Sequence, residues 1–172
     1  MIRFGLALAG VLLAACDSRG SCPPALVPLP MTVARAMEIS PEVREGIAVS
    51  TTLIRGDCRA STATVAKSCA QSCAHERAPL GVWVVPSNVS IPRRCATGPD
   101  PADLSRLAAQ QGIADANGEL VLAVSEGRYA VYLAEPGGCA ACGREDEGAA
   151  CVVDVAPQSV TVRDVVLDRA AH

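Results

Sequence analysis

The chain has 172 residues and a formal net charge of −3 at pH 7. This mild acidity gives no electrostatic reason to expect a nucleic-acid partner, because proteins that bind phosphate backbones present basic surfaces. The sequence contains only one Trp, two Tyr and one Phe, and this scarcity argues against aromatic platforms that stack sugars or bases.

The N-terminus carries a short apolar segment that ends at a cysteine. Residues 4–15 hold no charge, which suits the core of a signal peptide and is too short to span a bilayer. The closing residues Leu13-Ala14-Ala15-Cys16 resemble the lipobox of bacterial lipoproteins. The resemblance implies removal of residues 1–15, acylation of Cys16 (a diacylglyceryl thioether and an amine acyl group such as palmitate) and attachment to membrane lipid. An ordinary secretory signal with a chance cysteine, or a buried helix, are the alternatives.

A proline-rich stretch follows the lipobox, and residues 16–30 are interpreted as a tether below a domain of residues 31–172. Within the tether, Asp17 directly follows Cys16. In this respect the chain resembles lipoproteins that enteric bacteria retain in the inner membrane, which carry aspartate after the cysteine. Other lineages do not obey that rule. The choice between inner and outer membrane therefore stays open.

Alternating apolar residues predict strands along most of the remaining chain. The first strand is expected over 46–54, followed by a cysteine-rich insertion at about 58–95 that contains a loop over 58–79 and a strand over 80–85. That strand carries Trp83, which we interpret as a core residue. Asp100 is a candidate N-cap for one short helix that Gly112 would close.

The C-terminal half shows the strongest strand signals. Asn117-Gly118 predicts a tight turn between two strands of a hairpin over 113–124, and a strand follows over 129–134. A loop is expected over 135–150, then strands over 151–155 and 160–167, the last with a β-bulge near Arg163. The pattern predicts an all-β protein: an Ig-like or transthyretin-like sandwich of about seven strands with one short helix.

Residues 113–168 also resemble a known family. Ala114 to Leu120, followed by Glu126-Gly127-Arg128-Tyr129-Ala130-Val131, is similar to the signature of the carboxypeptidase regulatory-like domain. The resemblance implies a transthyretin-like (prealbumin-like) fold without catalytic residues, used as an accessory, adhesive or scaffold module. Gly127 would free the backbone before Tyr129, whose ring would enter the core while its hydroxyl bonds a neighbouring turn.

Eight cysteines remain once Cys16 is assigned to lipid. An even number in an exported chain predicts four structural disulfides that staple a core poor in aromatic residues. Eight cysteines allow 105 pairings, so only one pairing is suggested, that of Cys139 or Cys142 with Cys151. The candidates are Cys22, Cys58, Cys69, Cys73, Cys95, Cys139, Cys142 and Cys151.

Two other uses of these cysteines are open. Cys139 and Cys142 have the C-x-x-C spacing of redox dithiols, although a turn rather than a helix N-terminus precedes them. Cys69, Cys73 and His75 offer thiolates and an imidazole of the kind that zinc prefers. Structural bridges are favoured over both.

No catalytic constellation is visible, since the imidazoles are limited to His75 and His172 and no nucleophile-elbow, metalloprotease or phosphate-loop motif occurs. We therefore expect a non-enzymatic envelope lipoprotein without a cofactor. Its partner is expected to be an envelope protein or a polysaccharide.

Overall fold

Two β-sheets pack face to face in the computed structural model of the protein, which describes residues 29–55, 74–95, 98–142 and 151–169. The all-β sandwich expected from the sequence is confirmed. The described residues form two helices and nine strands: α1 (Val33–Ile39), β1 (Gly46–Arg55), β2 (Ala74–Arg77), β3 (Gly81–Pro86), α2 (Pro101–Leu107), β4 (Gln110–Ile113), β5 (Glu119–Ala123), β6 (Gly127–Ala134), β7 (Ala141–Cys142), β8 (Val152–Val155) and β9 (Val160–Asp168).

The first sheet is built around β1. Strand β9 runs parallel to it along one edge, in unbroken register from Gly46 opposite Val160 to Ile54 opposite Asp168. Along the other edge, β5 and β2 pair antiparallel with successive halves of β1. Strand β1 is therefore central and is buried over most of its length.

The second sheet is built around β3 and β6, which pair antiparallel. Strand β4 covers the free edge of β3, while β8 and β7 pair with successive halves of β6. The part of the expected cysteine-rich insertion that the structure describes supplies β2 and β3, so these strands belong to the sandwich itself.

The main core fills the space between the two sheets. It consists of aliphatic side chains that alternate along each strand, as the period of two requires, together with Tyr129. Its members include Ile47, Val49 and Leu53 of β1, Val82 and Val84 of β3, Val131 and Leu133 of β6, and Val165 and Leu167 of β9.

Each helix covers the outer face of one sheet. Helix α1 seals the first sheet through Ala36, which packs with Met31 and Ala48. Helix α2 seals the second sheet through Leu104, which packs with Val85, Ala134 and Ala140. The Asp100 carboxylate caps α2 by accepting from Ala102 N at 2.8 Å. The N-cap is as expected, but the helix ends at Leu107, and Gly112 lies in β4.

Four further expectations are corrected. Strands β4 and β5 do not form a hairpin, because β4 pairs with β3 and β5 pairs with β1. Strand β9 has no bulge at Arg163, since its register is continuous. The structure has two helices, α1 and α2, whereas the sequence predicted one. The loops expected over 58–79 and 135–150 contain the short strands β2 and β7.

The predicted signal peptide lies outside the described residues, as do Cys16, Cys22, Cys58, Cys69 and Cys73. Within the described part of the chain, no helix is both long and apolar enough to cross a membrane.

Candidate functional site

An apolar cleft of about 740 Å³ opens between α1 and the turn that leads into β9. Ligand clefts typically measure roughly 300–1,000 Å³ and are lined mainly by apolar groups with a few polar ones, and this cleft fits both criteria. Its lining residues are Val33, Met37, Val43, Arg44, Gln158, Ser159 and Val160.

Helix α1 forms one wall of the cleft, and its ends are fixed by local hydrogen bonds. The Thr32 hydroxyl accepts from Arg35 N at 3.1 Å, and Ser40 N donates to Ala36 O at 3.0 Å. A helix of two turns is marginal by itself, so the burial of Ala36 against the first sheet holds it. Because residues four apart share a face, Val33 and Met37 both project into the cleft.

Arg35 ties the polar side of α1 to the first sheet. Its Nη2 lies 2.7 Å from Glu119 Oε2, and its Nη1 lies 3.1 Å from Glu38 Oε2. The hydrogen bond to Glu119 and, second, that to Glu38 raise the pKa of the Arg35 guanidinium above its ordinary value.

The opposite wall has an unusual backbone. Gln158 has a φ of 54°, a left-handed conformation that residues other than glycine seldom adopt. The Glu45 carboxylate holds this turn by accepting from Gln158 N at 2.8 Å, and its other oxygen accepts from Glu126 N at 2.6 Å. Backbone strain of this kind is frequent at ligand sites.

The lining of the cleft is mainly apolar, with few polar groups. The Ser159 hydroxyl donates to Ala156 O at 2.9 Å, and none of the described lining residues carries an imidazole or a carboxylate that would activate it. The cleft instead presents four aliphatic or thioether side chains with one guanidinium at its rim. It can accommodate an apolar group that carries a polar or anionic end.

The cysteines that the structure describes form two bridges. Cys95 pairs with Cys139, with their Cα atoms 5.8 Å apart, and Cys142 pairs with Cys151, with their Cα atoms 5.4 Å apart. The second pairing is one of the two suggested by the sequence. The sulfurs of the C-x-x-C therefore belong to different bridges, and neither faces the cleft.

Tyr129 lies against Gly127 at the start of β6. Tyr129 is 8% exposed, and its hydroxyl donates to Ser125 O at 2.9 Å, which fastens the turn before β6. Gly127 has a φ of 154°, and a Cβ there would lie 3.3 Å from the Tyr129 ring. These residues stabilise the sandwich and lie away from the cleft.

Trp83 packs partly buried on the outer face of the second sheet, and its indole nitrogen donates to Ser105 Oγ at 3.0 Å. Tyr132 packs in the same cluster, where burial raises the pKa of its phenol and Arg93 opposes the shift. Trp83 thus serves core packing, the use that the sequence favoured.

The structure describes one of the three possible zinc ligands. His75 lies in β2, whereas Cys69 and Cys73 lie outside the described residues. Among the described residues, no group of three or more His, Cys, Asp or Glu side chains is placed to hold a metal ion.

The cleft was not foreseen from the sequence. Thr32 is a good N-cap residue, and this was the one local sign of α1. The two walls are far apart in the chain and meet because β1 and β9 are parallel neighbours, with Gly46 N donating to Ser159 O at 3.0 Å. No single segment carries that information.

Comparison with known proteins adds no assignment: no family model, no curated protein and no solved structure matches the chain. The functional conclusion therefore depends on the residues and their geometry.

Proposed function

We propose that this protein is a lipid-anchored, non-enzymatic module of the bacterial cell envelope, held to a membrane by acyl chains on Cys16. The observation that carries the proposal is the sequence Leu13-Ala14-Ala15-Cys16 at the end of an apolar segment. Small residues before the cysteine suit a signal peptidase, and two or more acyl chains give stable anchoring where one does not.

The bridges support an extracytoplasmic address. Disulfides persist in oxidising compartments and are rare in the bacterial cytosol. The bridge from Cys95 to Cys139 ties the loop after β3 to the loop after β6, and the bridge from Cys142 to Cys151 joins β7 to the start of β8. Both staple the second sheet and leave the cleft unobstructed.

A binding or structural role is supported by the cleft and by the resemblance to carboxypeptidase regulatory-like domains. Such domains serve as accessory or scaffold modules, and a transthyretin-like fold is part of this proposal. The partner is an envelope protein or polysaccharide.

The thiol-exchange alternative loses its main support. A redox dithiol needs its two sulfurs to pair with each other, whereas Cys139 and Cys142 have different partners. No described contact favours the zinc alternative at Cys69, Cys73 and His75. We therefore propose a single function.

The anchor is tested by comparing Cys16→Ser with Cys22→Ser in bacterial cells fed labelled palmitate. Cys22 lies six residues further on, within the proposed tether, and is the matched control. We expect the unsubstituted protein and Cys22→Ser to incorporate label and to sediment with membranes, and Cys16→Ser to lose both properties. Label retained in Cys16→Ser would contradict the proposal.

A further inference from the structure

Large apolar side chains are exposed mainly at one place on the described surface. Leu29, Val33, Met37 and Ile39 are 89%, 51%, 44% and 36% exposed, and all four fall within residues 29–39. The remaining large exposed apolar residue of the described chain is Ile113 in β4, at 74%. Scattered exposed apolar residues need no explanation, but a cluster of them marks an interaction surface.

Two members of the cluster, Val33 and Met37, also line the cleft. Val33 and Met37 lie one helical turn apart on the same side of α1, next to the buried Ala36. Val43 and Val160 extend the surface across the cleft. We call Val33, Met37, Val43 and Val160 the apolar face.

The apolar face lies where the domain joins its tether. The 13 residue steps from Cys16 to Leu29 span at most about 45 Å when fully extended and on the order of 20 Å as a flexible chain. An anchor at Cys16 therefore holds this end of the domain within reach of the bilayer.

The start of the domain is hydrogen-bonded to the first sheet, so the tether joins a rigid part of the domain. Met31 N donates to Asp164 Oδ1 at 3.3 Å, and Arg77 bonds both the Leu29 carbonyl and the Asp164 carboxylate. Ser50 also donates to Asp164. The orientation of the chain where it leaves the domain is thereby coupled to that of α1.

We propose that the apolar face lies on the surface of the bilayer that carries the Cys16 acyl chains, with Val33 and Met37 contacting lipid. This inference rests on the proposed function. The contact is apolar in character, because the charges beside it are of both signs: Glu38 is paired with Arg35, and the exposed Glu42 and Arg44 carry opposite charges. Uncharged phosphatidylcholine therefore suffices as the lipid, and added salt leaves the contact in place.

Tryptophan reporters test the contact. The full-length acylated protein carrying Met37→Trp or Val33→Trp is reconstituted in vesicles of brominated phosphatidylcholine, with intact mass confirming the acyl groups on Cys16. Ile113→Trp is the matched control, since it is exposed on the second sheet. The unsubstituted protein gives the Trp83 emission to subtract.

We expect emission from the two α1 reporters to shift to shorter wavelength and to be quenched several-fold more than that of Ile113→Trp, with the quenching unchanged by salt. Equal quenching in acylated, vesicle-bound protein overturns this inference and leaves the anchor intact. A wavelength shift without quenching overturns it in favour of a contact between copies of the chain. Absence of acyl mass on Cys16 overturns the proposed function instead.

Discussion

At the scale of single residues, Gly118 and Gly137 adopt almost the same left-handed backbone in different surroundings. Their φ values are 72° and 74°. A Cβ at Gly118 would lie 2.5 Å from the carbonyl oxygen of Thr51, whereas a Cβ at Gly137 would meet nothing within 4 Å. The pair therefore separates the cost of the backbone conformation from the cost of crowding.

We expect Gly137→Ala to lower the free energy of unfolding by about 1 kcal/mol, the cost of a left-handed residue with a Cβ. Gly118→Ala adds a clash with buried backbone and should cost about 3 kcal/mol. Urea unfolding of the two variants measures the difference. Equal losses would show that the turn before β5 does not approach Thr51 as described.

The Tyr129 hydroxyl is a second residue-scale test. Tyr129→Phe keeps the ring in the core and removes the hydrogen bond to Ser125 O, so we expect a loss of about 1 kcal/mol. Tyr132→Phe is the control, because among the described residues no hydrogen bond involves its hydroxyl. Denaturation midpoints that fall equally would exclude a specific role for the Tyr129 bond.

At the scale of elements, α1 is held by packing rather than by its own sequence. Ala36 is 1% exposed against Ala48, which is fully buried, whereas Ala34 lies exposed on the same helix. The two alanines have the same helix propensity, so the same substitution at both sites isolates the contribution of docking.

We expect Ala36→Leu to cost about 1–3 kcal/mol, since the larger side chain has no space beneath α1. Ala34→Leu should change stability by less than about 0.5 kcal/mol. Thermal unfolding compares the two, and amide exchange of residues 33–39 reports whether α1 has undocked. Similar behaviour of both variants would contradict the docking of α1 on the first sheet.

Local alternation was sufficient to locate the longer strands. Strands β1, β3, β6 and β9 lie where alternating apolar residues indicated them, because one face of each meets the main core. The Asp100 cap also lies where its side chain predicted a helix to begin. These features depend on neighbours in the sequence.

The errors have long-range causes. The apparent phase slip in β9 arises because Val160 and Val162 pack beneath α1 on one face while Val165 and Leu167 enter the main core on the other. Because apolar side chains are buried on both faces of β9, the apolar pattern shifts by one residue along the strand. In the sequence this shift looks like a bulge. The turn at Asn117-Gly118 is real, with Gly118 N donating to Asp115 O, but which sheet each flanking strand joins depends on β1 and β3.

At the scale of the whole molecule, the two bridges close loops of different length. Cys95 and Cys139 are separated by 44 residues, and Cys142 and Cys151 by 9. Chain-entropy arguments assign about 4 kcal/mol to the longer loop and about 3 kcal/mol to the shorter one. The bridges compensate for a core in which Tyr129 is the only aromatic among the described buried residues.

We therefore expect the double variant Cys95→Ser/Cys139→Ser to be less stable than Cys142→Ser/Cys151→Ser, each measured by urea unfolding against the unsubstituted protein. Reduction of the unsubstituted protein should lower its midpoint further than either variant. Two double variants as stable as the parent would contradict a structural role for the bridges.

Intact mass of the protein purified from membranes, recorded before and after reduction, tests the export and anchoring of the chain most directly. The account predicts a chain that begins at Cys16, carries the mass of its acyl groups, and gains hydrogens on reduction from at least the bridges Cys95–Cys139 and Cys142–Cys151. A chain that retains residues 1–15, bears no acyl mass and is unchanged by reductant would contradict it.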